Sequence, residues 1–208
     1  MIKNSKVILV GAGGFGREVL NLLYNTNYEV VGFIDKNINK NKKINIIGND
    51  NIIPKLFKKY SDIKIFVSIG NIQVRKKIIK KIKTNQLEQI SFIHNTSAYF
   101  IKKLKMGSII YPNCTIMNDC KIGEGTVINS GVNIGHDSQI GNYCNINPGV
   151  NLAGNVKIGN ECMIGMGTKI KEGITIGRNS VVGAGSLVLK NIPPNSLFYG
   201  APAVKISK

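Results

Sequence analysis

Residues 134–159 read IGHDSQ-IGNYCN-INPGVN-LAGNVK-IG, a pattern that repeats every six residues. The first place of each hexad is aliphatic, and the residue after it is often glycine. The aliphatic column continues in both directions at the same spacing and comprises Leu104, Ile110, Ile116, Ile122, Ile128, Ile134, Ile140, Ile146, Leu152, Ile158, Ile164, Ile170, Ile176, Val182 and Val188. A fixed period sustained over such a length determines the architecture of the whole segment.

A period of six fits neither a helix, with its period of about 3.6 residues, nor an alternating strand. It fits a triangular coil, in which each hexad supplies one short strand and one corner and three hexads complete a turn. The aliphatic column then points inward, and the small fifth residue of each hexad, as in Ser108 and Thr126, fills the remaining interior. The repeat therefore predicts a parallel β-helix of about five coils over residues 104–193. We expect Pro193 and Pro194 to end it, because neither can donate to a strand ladder.

The length and composition of the chain limit the classes of protein to which it can belong. Its 208 residues are enough for two modest domains, and 28 Lys and Arg against 11 Asp and Glu give a net charge of +17, most of it in the first half. Such an excess fits solvated lysines or attraction of phosphorylated ligands. The chain lacks the aromatic and arginine clusters of single-strand binders, so we expect no nucleic-acid partner. It also lacks a long apolar run and a signal-peptide pattern, which predicts no stable membrane insertion and a cytoplasmic location.

A small α/β domain precedes the repeat. A buried strand at Lys6–Val10 leads into the turn GAGGFG at residues 11–16, a helix from Arg17 to about Asn25, and a second strand that ends at Asp35. A G-x-G-x-x-G turn with an acid about 20 residues on has the form of a dinucleotide fingerprint, whose backbone N–H groups meet an anion. These glycines can also serve only to permit a tight turn, and both interpretations remain open at this point.

The remaining segments complete the predicted domain plan. We expect a variable, Asn-rich segment at Ile44–Asp50, a buried strand at Lys64–Ile69, a helix from Ile72 to about Asn85, and a last strand at Gln89–Ile93. The plan has four parts: a Rossmann-like domain over residues 1–85, a connecting segment over 86–103, the β-helix over 104–193, and a C-terminal tail over 194–208.

His136 is the only histidine of the repeat and the third residue of its hexad, with Asp137 next to it. Three hexads further along, the position stacked on it is Gly154, which leaves a backbone N–H group and room beside the imidazole. A zinc site in such a prism needs three histidines, and the four cysteines all fall in the inward fifth place, so we expect neither a metal site nor a cysteine nucleophile. General-base catalysis by His136 and an inert surface histidine both remain open.

Three parts of the chain together resemble the sialic acid O-acetyltransferase (NeuD) family of sugar acyltransferases. They are VGAGGFGRE at residues 10–18, NIGHDSQIGN with NLAGNVKIG at residues 133–142 and 151–159, and YGAPA at residues 199–203. The best-matching branch N-acetylates nucleotide-linked 4-amino-4,6-dideoxy sugars, as in bacillosamine, perosamine and viosamine pathways. The resemblance implies a left-handed coil, a homotrimer, and acetyl-CoA as co-substrate in the cleft between adjacent prisms.

The resemblance also implies roles for individual residues. His136 would be the base that takes a proton from the sugar amine, and Asp137 would orient its imidazole. Acetyl-CoA would be contacted by Asn145, Ala153, Gly154, Met166, Ala184 and Lys205. A UDP- or dTDP-linked sugar would be contacted by Gly11, Gly13, Gly14, Phe15, Asp35, Gly70, Asn71 and Asn129.

Three residues depart from the pattern of some family members. Asp137 stands where the best-known members have Glu, and Phe15 and Asn145 stand where some members have His. These departures bear on the identity of the sugar and on ligand contacts. Three other functions also stay open: a sialic acid-type O-acetyltransferase, a non-catalytic trimeric scaffold, and a nicotinamide oxidoreductase.

Overall fold

The computed structural model describes residues 5–24, 26–37, 44–59 and 62–206. The chain divides into two compact units, Met1–Ile90 and Ser91–Lys208. The elements of the first unit, in chain order, are β1 (Ser5–Val10), α1 (Gly14–Leu23), β2 (Tyr28–Ile34), β3 (Ile46–Gly48), a 3₁₀ helix (Asp50–Ile52), α2 (Ile53–Lys59), β4 (Lys64–Val67), α3 (Ile72–Thr84) and β5 (Glu88–Gln89).

The first unit is built on a parallel sheet with the strand order β3-β2-β1-β4-β5. Val7 to Val10 of β1 are buried, as expected of a continuous apolar run in a parallel sheet. The order reverses between β1 and β4, so the loops after these two strands meet at one edge of the sheet. In open α/β sheets, ligands bind in the crevice at such a switch point.

Three expectations for this unit need correction. Helix α1 begins at Gly14, not at Arg17, because the glycine turn closes directly into a helical turn in which Arg17 N donates to Gly13 O at 3.1 Å; its predicted end near Asn25 lies outside the described residues. The Asn-rich segment, which was expected only to be variable, contains the short edge strand β3. The single strand expected at Gln89–Ile93 is two strands in two different sheets.

The second unit consists of short strands joined by tight corners. They are β6 (Phe92–Ile93), β7 (Ala98–Tyr99), β8 (Ile109–Ile110), β9 (Thr115–Ile116), β10 (Lys121–Ile122), β11 (Val127–Ile128), β12 (Asn133–Ile134), β13 (Gln139–Ile140), β14 (Asn145–Ile146), β15 (Asn151–Leu152), β16 (Lys157–Ile158), β17 (Met163–Ile164), β18 (Lys169–Ile170), β19 (Thr175–Ile176), β20 (Val181–Val182), β21 (Leu187–Val188), β22 (Leu197–Tyr199) and β23 (Val204–Lys205).

These strands form three sheets, which are the faces of a triangular prism. Sheet 1 has the order β6-β8-β11-β14-β17-β20-β22-β23, sheet 2 the order β7-β9-β12-β15-β18-β21, and sheet 3 the order β10-β13-β16-β19. Between β8 and β21, the strands pair in parallel with the equivalent strand of the next coil, three hexads further along, as Ile134 does with Leu152. The aliphatic column is buried from Ile110 to Val188, and Leu104 packs against it partly buried.

The sheets continue beyond the regular repeat at both ends. Ile93 pairs with Ile110, which is one position short of three full hexads, and Val182 pairs with Phe198, which is two positions short. The expectation that Pro193 and Pro194 end the coil is therefore wrong. The two prolines lie at a corner, where the strand ladder requires no donor, and the chain re-enters sheet 1 at β22.

Two different places of the hexad shape the corners, one through its backbone conformation and the other through close stacking. The fourth place of each hexad has positive φ from Asn113 to Gly185, including non-glycine residues such as Asp137 at +59°. The glycines of the second place serve close stacking instead: a Cβ on Gly135 would lie 2.5 Å from the carbonyl carbon of Ala153 in the next coil.

The fifth-place residues carry the polar groups of the interior. Thr126 Oγ1 donates to Gly141 O at 2.8 Å and accepts from Cys144 N at 3.1 Å, and Cys120 Sγ donates to Gly135 O at 3.1 Å in the same way. Burial raises the pKa of the Cys114 and Cys120 thiols above the ordinary value for a cysteine. All four cysteines are buried, as predicted of interior residues.

Candidate active site

His136 lies at the corner between β12 and β13, on the prism edge where sheets 2 and 3 meet. We call the line of Asn118, His136 and Gly154 along this edge the histidine edge. The coils on either side fix its backbone, because Asn155 N donates to His136 O at 2.8 Å and Asp137 N donates to Asn118 O at 3.0 Å. The side chain itself projects outward with 58% of its surface exposed. The backbone hydrogen bonds between coils therefore hold in place an imidazole that is accessible to solvent.

Asp137 holds the imidazole of its neighbour in the chain. The distance between His136 Nδ1 and Asp137 Oδ2 is 2.8 Å, and since a carboxylate only accepts, Nδ1 carries the proton. Nε2 is then left with its lone pair, as a general base requires. This contact between adjacent residues depends on the left-handed backbone of Asp137, a conformation that Asp and Asn adopt more readily than most residues.

Gly154 lies directly against the imidazole. A Cβ at this position would lie 2.6 Å from His136 Nε2 and 2.7 Å from Cε1, so a larger residue would displace the ring. At the equivalent place on the next edge, Glu124 N donates to Asn142 Oδ1 at 2.9 Å, and Asn142 N donates to Asn160 Oδ1 at 2.8 Å. Within the described part of the chain, the N–H group of Gly154 has no such acceptor. The corner thus combines an exposed imidazole, a carboxylate bound to it and a backbone N–H donor.

The other residues predicted to contact acetyl-CoA are only partly gathered at this edge. Ala153 adjoins Gly154 and is exposed. Met166, 59% exposed, and Ala184 lie on the edge between sheets 1 and 2, which we call the methionine edge. Asn145 is 9% exposed in β14 of sheet 1, Asn129 begins a corner of the methionine edge, and Lys205 lies in the exposed strand β23. One prism therefore does not bring these residues to His136.

The glycine turn of the first unit divides into glycines that the fold requires and glycines that it does not. Gly11 has a φ of +109°, and a Cβ there would lie 2.6 Å from Ser68 O; a Cβ on Gly16 would overlap Gly11 O. By contrast, Gly13 and Gly14 are exposed, and a Cβ on either would have no atom within 4 Å. Packing does not explain the last two glycines, whereas close approach of a ligand would.

Asp35, at the end of β2, is tied to the same turn. Its Oδ2 accepts from Ala12 N at 2.8 Å and its Oδ1 accepts from Asn37 N at 3.0 Å. Each oxygen keeps a further acceptor site for a ligand donor, and the N–H of Ala12 is already used. Gly70 and Asn71 follow β4 on the other side of the switch point, and Asn71 Oδ1 caps α3 by accepting from Val74 N at 3.0 Å. Phe15 packs edge-on against Phe66, with ring centroids 6.4 Å apart.

The sequence did not single out two residues that support this loop. Ser68 Oγ donates to Gly11 O at 2.9 Å, and the buried Arg75 donates to the carbonyls of Ile69 and Gly70. The one available signal was that Arg75 is an arginine among the lysines of its helix.

The described residues contain no group of three or more His, Cys, Asp or Glu side chains that could hold a metal ion. Within the same residues, none of the helices combines the length and apolar character needed to cross a membrane.

Two protein-family models match the chain. Residues 6–82 match the PglD N-terminal domain, and residues 103–136, 119–154 and 155–190 match the bacterial transferase hexapeptide repeat. A comparison with curated proteins found no match. These two models and the topology confirm the predicted fold class, a small Rossmann-like α/β domain followed by a left-handed parallel β-helix. The chain is thus an enzyme of the hexapeptide-repeat transferase class with an N-terminal domain of the PglD type.

Solved structures are similar to the chain over its whole length. PerB from Caulobacter crescentus, in complex with CoA and GDP-perosamine, is 27% identical with a TM-score of 0.92, covering 97% of each chain. WeeI from Acinetobacter baumannii is 25% identical with a TM-score of 0.77, covering 96% of this chain and 99% of the other. The acetyltransferase domain of PglB from Neisseria gonorrhoeae is 24% identical with a TM-score of 0.86, covering 98% of this chain and 100% of the other. The similarity to the perosamine N-acetyltransferase of Caulobacter crescentus confirms the resemblance to the nucleotide-amino-sugar N-acetyltransferases, and the PglB similarity supports the fold.

Proposed function

We propose that this protein transfers the acetyl group of acetyl-CoA to the 4-amino group of a nucleotide-linked 4-amino-4,6-dideoxy sugar, with UDP or dTDP as the nucleotide. The observation that carries the proposal is the corner in which Asp137 binds His136 Nδ1 and Gly154 leaves room for the ring. Similarity to an enzyme solved with CoA and GDP-perosamine supports both substrate classes, and it makes GDP the third nucleotide to test.

In the proposed reaction, the sugar amine attacks the thioester carbonyl while His136 Nε2 takes up the amine proton. A C–N bond forms, the C–S bond breaks, and the proton passes to the departing CoA thiolate. Asp137 keeps Nδ1 protonated and stabilises the imidazolium that forms. The N–H of Gly154 donates to the acetyl oxygen as negative charge develops there, in the manner of an oxyanion hole.

We propose further that residues 1–85 hold the nucleotide and that residues 104–193 carry out the transfer. Gly13 and Gly14 let the ligand approach the backbone closely, since the fold itself does not need glycine there. Asp35 accepts from the base or ribose with the acceptor sites left over from Ala12 and Asn37.

The arrangement of the prism edges supports a homotrimer. His136 and Met166 belong to different edges of one prism, so a single acetyl-CoA contacts both only where the histidine edge of one copy faces the methionine edge of another. Flat faces on a closed prism permit such packing around a threefold axis. Asn129 and Ala184 lie on the same methionine edge and are assigned to this cleft on that basis, whereas Asn145 and Lys205 are assigned to it from the family resemblance.

Release of free thiol from acetyl-CoA tests the proposal. UDP-, dTDP- and GDP-linked 4-amino-4,6-dideoxyhexoses are compared with free sialic acid, for the wild type and for His136→Ala. Turnover of a nucleotide amino sugar that falls by about 10²–10⁴ in the variant supports the proposal. Turnover of sialic acid alone indicates an O-acetyltransferase, and no turnover by a folded trimer indicates a scaffold.

A further inference from the structure

Arg75 is the largest side chain of the described residues that is fully buried, with 0% of its surface exposed. It lies in the first turns of α3, where Ile78, Ile79 and Ile82 supply the buried apolar face of the helix. A buried guanidinium is costly unless it is fully hydrogen-bonded, and an aliphatic residue would pack this face at lower cost. The presence of arginine here therefore calls for a reason other than packing.

The hydrogen bonds of Arg75 indicate that reason. Its Nη1 donates to Ile69 O at 2.8 Å and to Gly70 O at 3.1 Å, so one nitrogen binds two successive carbonyls of the loop after β4. In a planar trans peptide, the N–H points opposite to the C=O. Binding both carbonyls inward turns the N–H sides of the next two residues, Gly70 and Asn71, away from the guanidinium and toward the outer side of the loop.

This loop contacts the glycine turn across the switch point. Ser68 N donates to Val10 O at 2.8 Å and Ser68 Oγ donates to Gly11 O at 2.9 Å. A Cβ on Gly11 would lie 2.9 Å from Ile69 Cγ1, which shows how little space separates the two segments. A shift of Ile69 and Gly70 is therefore transmitted to Gly11 and to the turn that follows it.

Resting on the proposed function, we infer that Arg75 is a positioning residue for the nucleotide site. Its guanidinium sets the orientation of the peptide groups at Ile69 and Gly70, and through them the shape of the crevice between this loop and the glycine turn. The ligand part that it serves is the oxygen-rich part of a nucleoside diphosphate, the ribose hydroxyls and phosphates, which accept from backbone N–H groups. Arg75 itself is buried behind the loop and does not touch the ligand.

Two substitutions separate this role from a contribution to folding alone. Arg75→Met keeps much of the side-chain volume and removes the hydrogen bonds to the carbonyls of Ile69 and Gly70. Arg75→Lys keeps the charge, but its shorter reach and single ammonium do not reproduce the fork of a guanidinium. Lys77→Met is the matched control, because it removes an exposed positive charge from a neighbouring position on the same helix.

The measurements are the affinities of the protein for UDP, dTDP, GDP and acetyl-CoA by titration calorimetry, the KM for the nucleotide sugar, and the melting temperature. We expect nucleotide affinity to fall about tenfold in Arg75→Lys and by more in Arg75→Met, with acetyl-CoA affinity unchanged and Lys77→Met like the wild type. Unchanged nucleotide affinity in a folded Arg75→Met protein overturns the inference. So does failure of both variants to fold, since Arg75 would then serve the fold alone.

The titrations also keep this inference distinct from the proposed function. If the wild type binds a nucleoside diphosphate but transfers no acetyl group, the proposed reaction fails while the Arg75 comparison still gives its answer. If the wild type binds none of the three nucleotides, the inference fails with the nucleotide site itself.

Discussion

Gly154→Ala tests the catalytic corner more sharply than removal of His136, because it leaves the imidazole, its acid and the backbone N–H of residue 154 in place. The new Cβ would lie 2.6 Å from His136 Nε2, whereas ordinary contact begins at 3.4 Å, so the ring must move by most of an ångström. A misplacement of about 1 Å at a reacting group can lower a rate about 10²-fold. We therefore expect kcat to fall about a hundredfold.

The fold should tolerate this change. Gly154 does not have the left-handed backbone that would strain alanine, and the displaced atoms belong to a side chain that is more than half exposed. The melting temperature is therefore expected to stay within a few degrees of the wild type, as is usual for a substitution that strains neither the core nor the backbone.

The assay is steady-state thiol release at saturating acetyl-CoA and acceptor. The control is a double-mutant cycle: in a His136→Ala background, Gly154→Ala should cost almost nothing, because the ring it displaces is absent. Wild-type kcat in the single variant would refute the reasoning, and so would an equal loss of activity in both backgrounds.

Four further substitutions test contacts described above. Asp137→Asn keeps the left-handed corner but removes the negative charge that stabilises the imidazolium of His136. We expect kcat to fall, though less than in His136→Ala, and the melting temperature to stay unchanged. An unchanged kcat would contradict the orienting role of Asp137. Gly13→Ala should raise the KM for the nucleotide sugar and leave the melting temperature unchanged, because a Cβ there meets no protein atom. Gly16→Ala should lower the melting temperature, because its Cβ would overlap Gly11 O. The opposite pattern in thermal melts and kinetics would reject the distinction between ligand-facing and structural glycines. Burial raises the pKa of the Cys114 thiol, so the folded thiol stays neutral at a pH where the unfolded one, with an ordinary pKa of about 9, ionises. The free energy of unfolding is therefore retained below pH 9 and falls as the pH rises further. Cys114→Ser should lose less stability than the wild type between pH 8 and 10 in denaturant unfolding, and an identical pH profile would disprove the linkage.

The sequence predicted the regular part of the β-helix because its signal repeats in every coil. The prediction failed at both ends of the prism, where the coils that bring Ile93 onto Ile110 and Val182 onto Phe198 are shorter than three full hexads, so that a six-residue period no longer marks them. The strand at Ile46–Gly48 was missed for a different reason. It has three residues at the edge of the sheet, too few for its own periodicity to show.

The candidate site was predictable only in part. His136 and Gly154 come together because three hexads separate them, and a coil length can be read from the repeat. The contact of Asp137 with its own neighbour could not be read from the repeat, because several residue types occupy the fourth place of a hexad with positive φ and only the family resemblance indicated a carboxylate that binds the imidazole. Arg75 was missed because its being an arginine in a helix rich in lysine was the one signal, and this alone does not distinguish a buried basic residue from a solvated one. The predicted domain roles and ligand contacts stay predictions until the assays are done.

The stacking of coils also determines which parts of the prism can unfold locally without disturbing the corner at His136. Each coil contacts only the coil before and the coil after it, so local opening in such a fold begins at the ends and travels inward. In sheet 2, the strand preceding His136 has β9 and β7 on one side and β15, β18 and β21 on the other. Fraying must pass through two coils from one end, or three from the other, before it reaches the imidazole. We therefore expect the backbone amides around His136 to be among the most slowly exchanging of the prism, even while its terminal coils open.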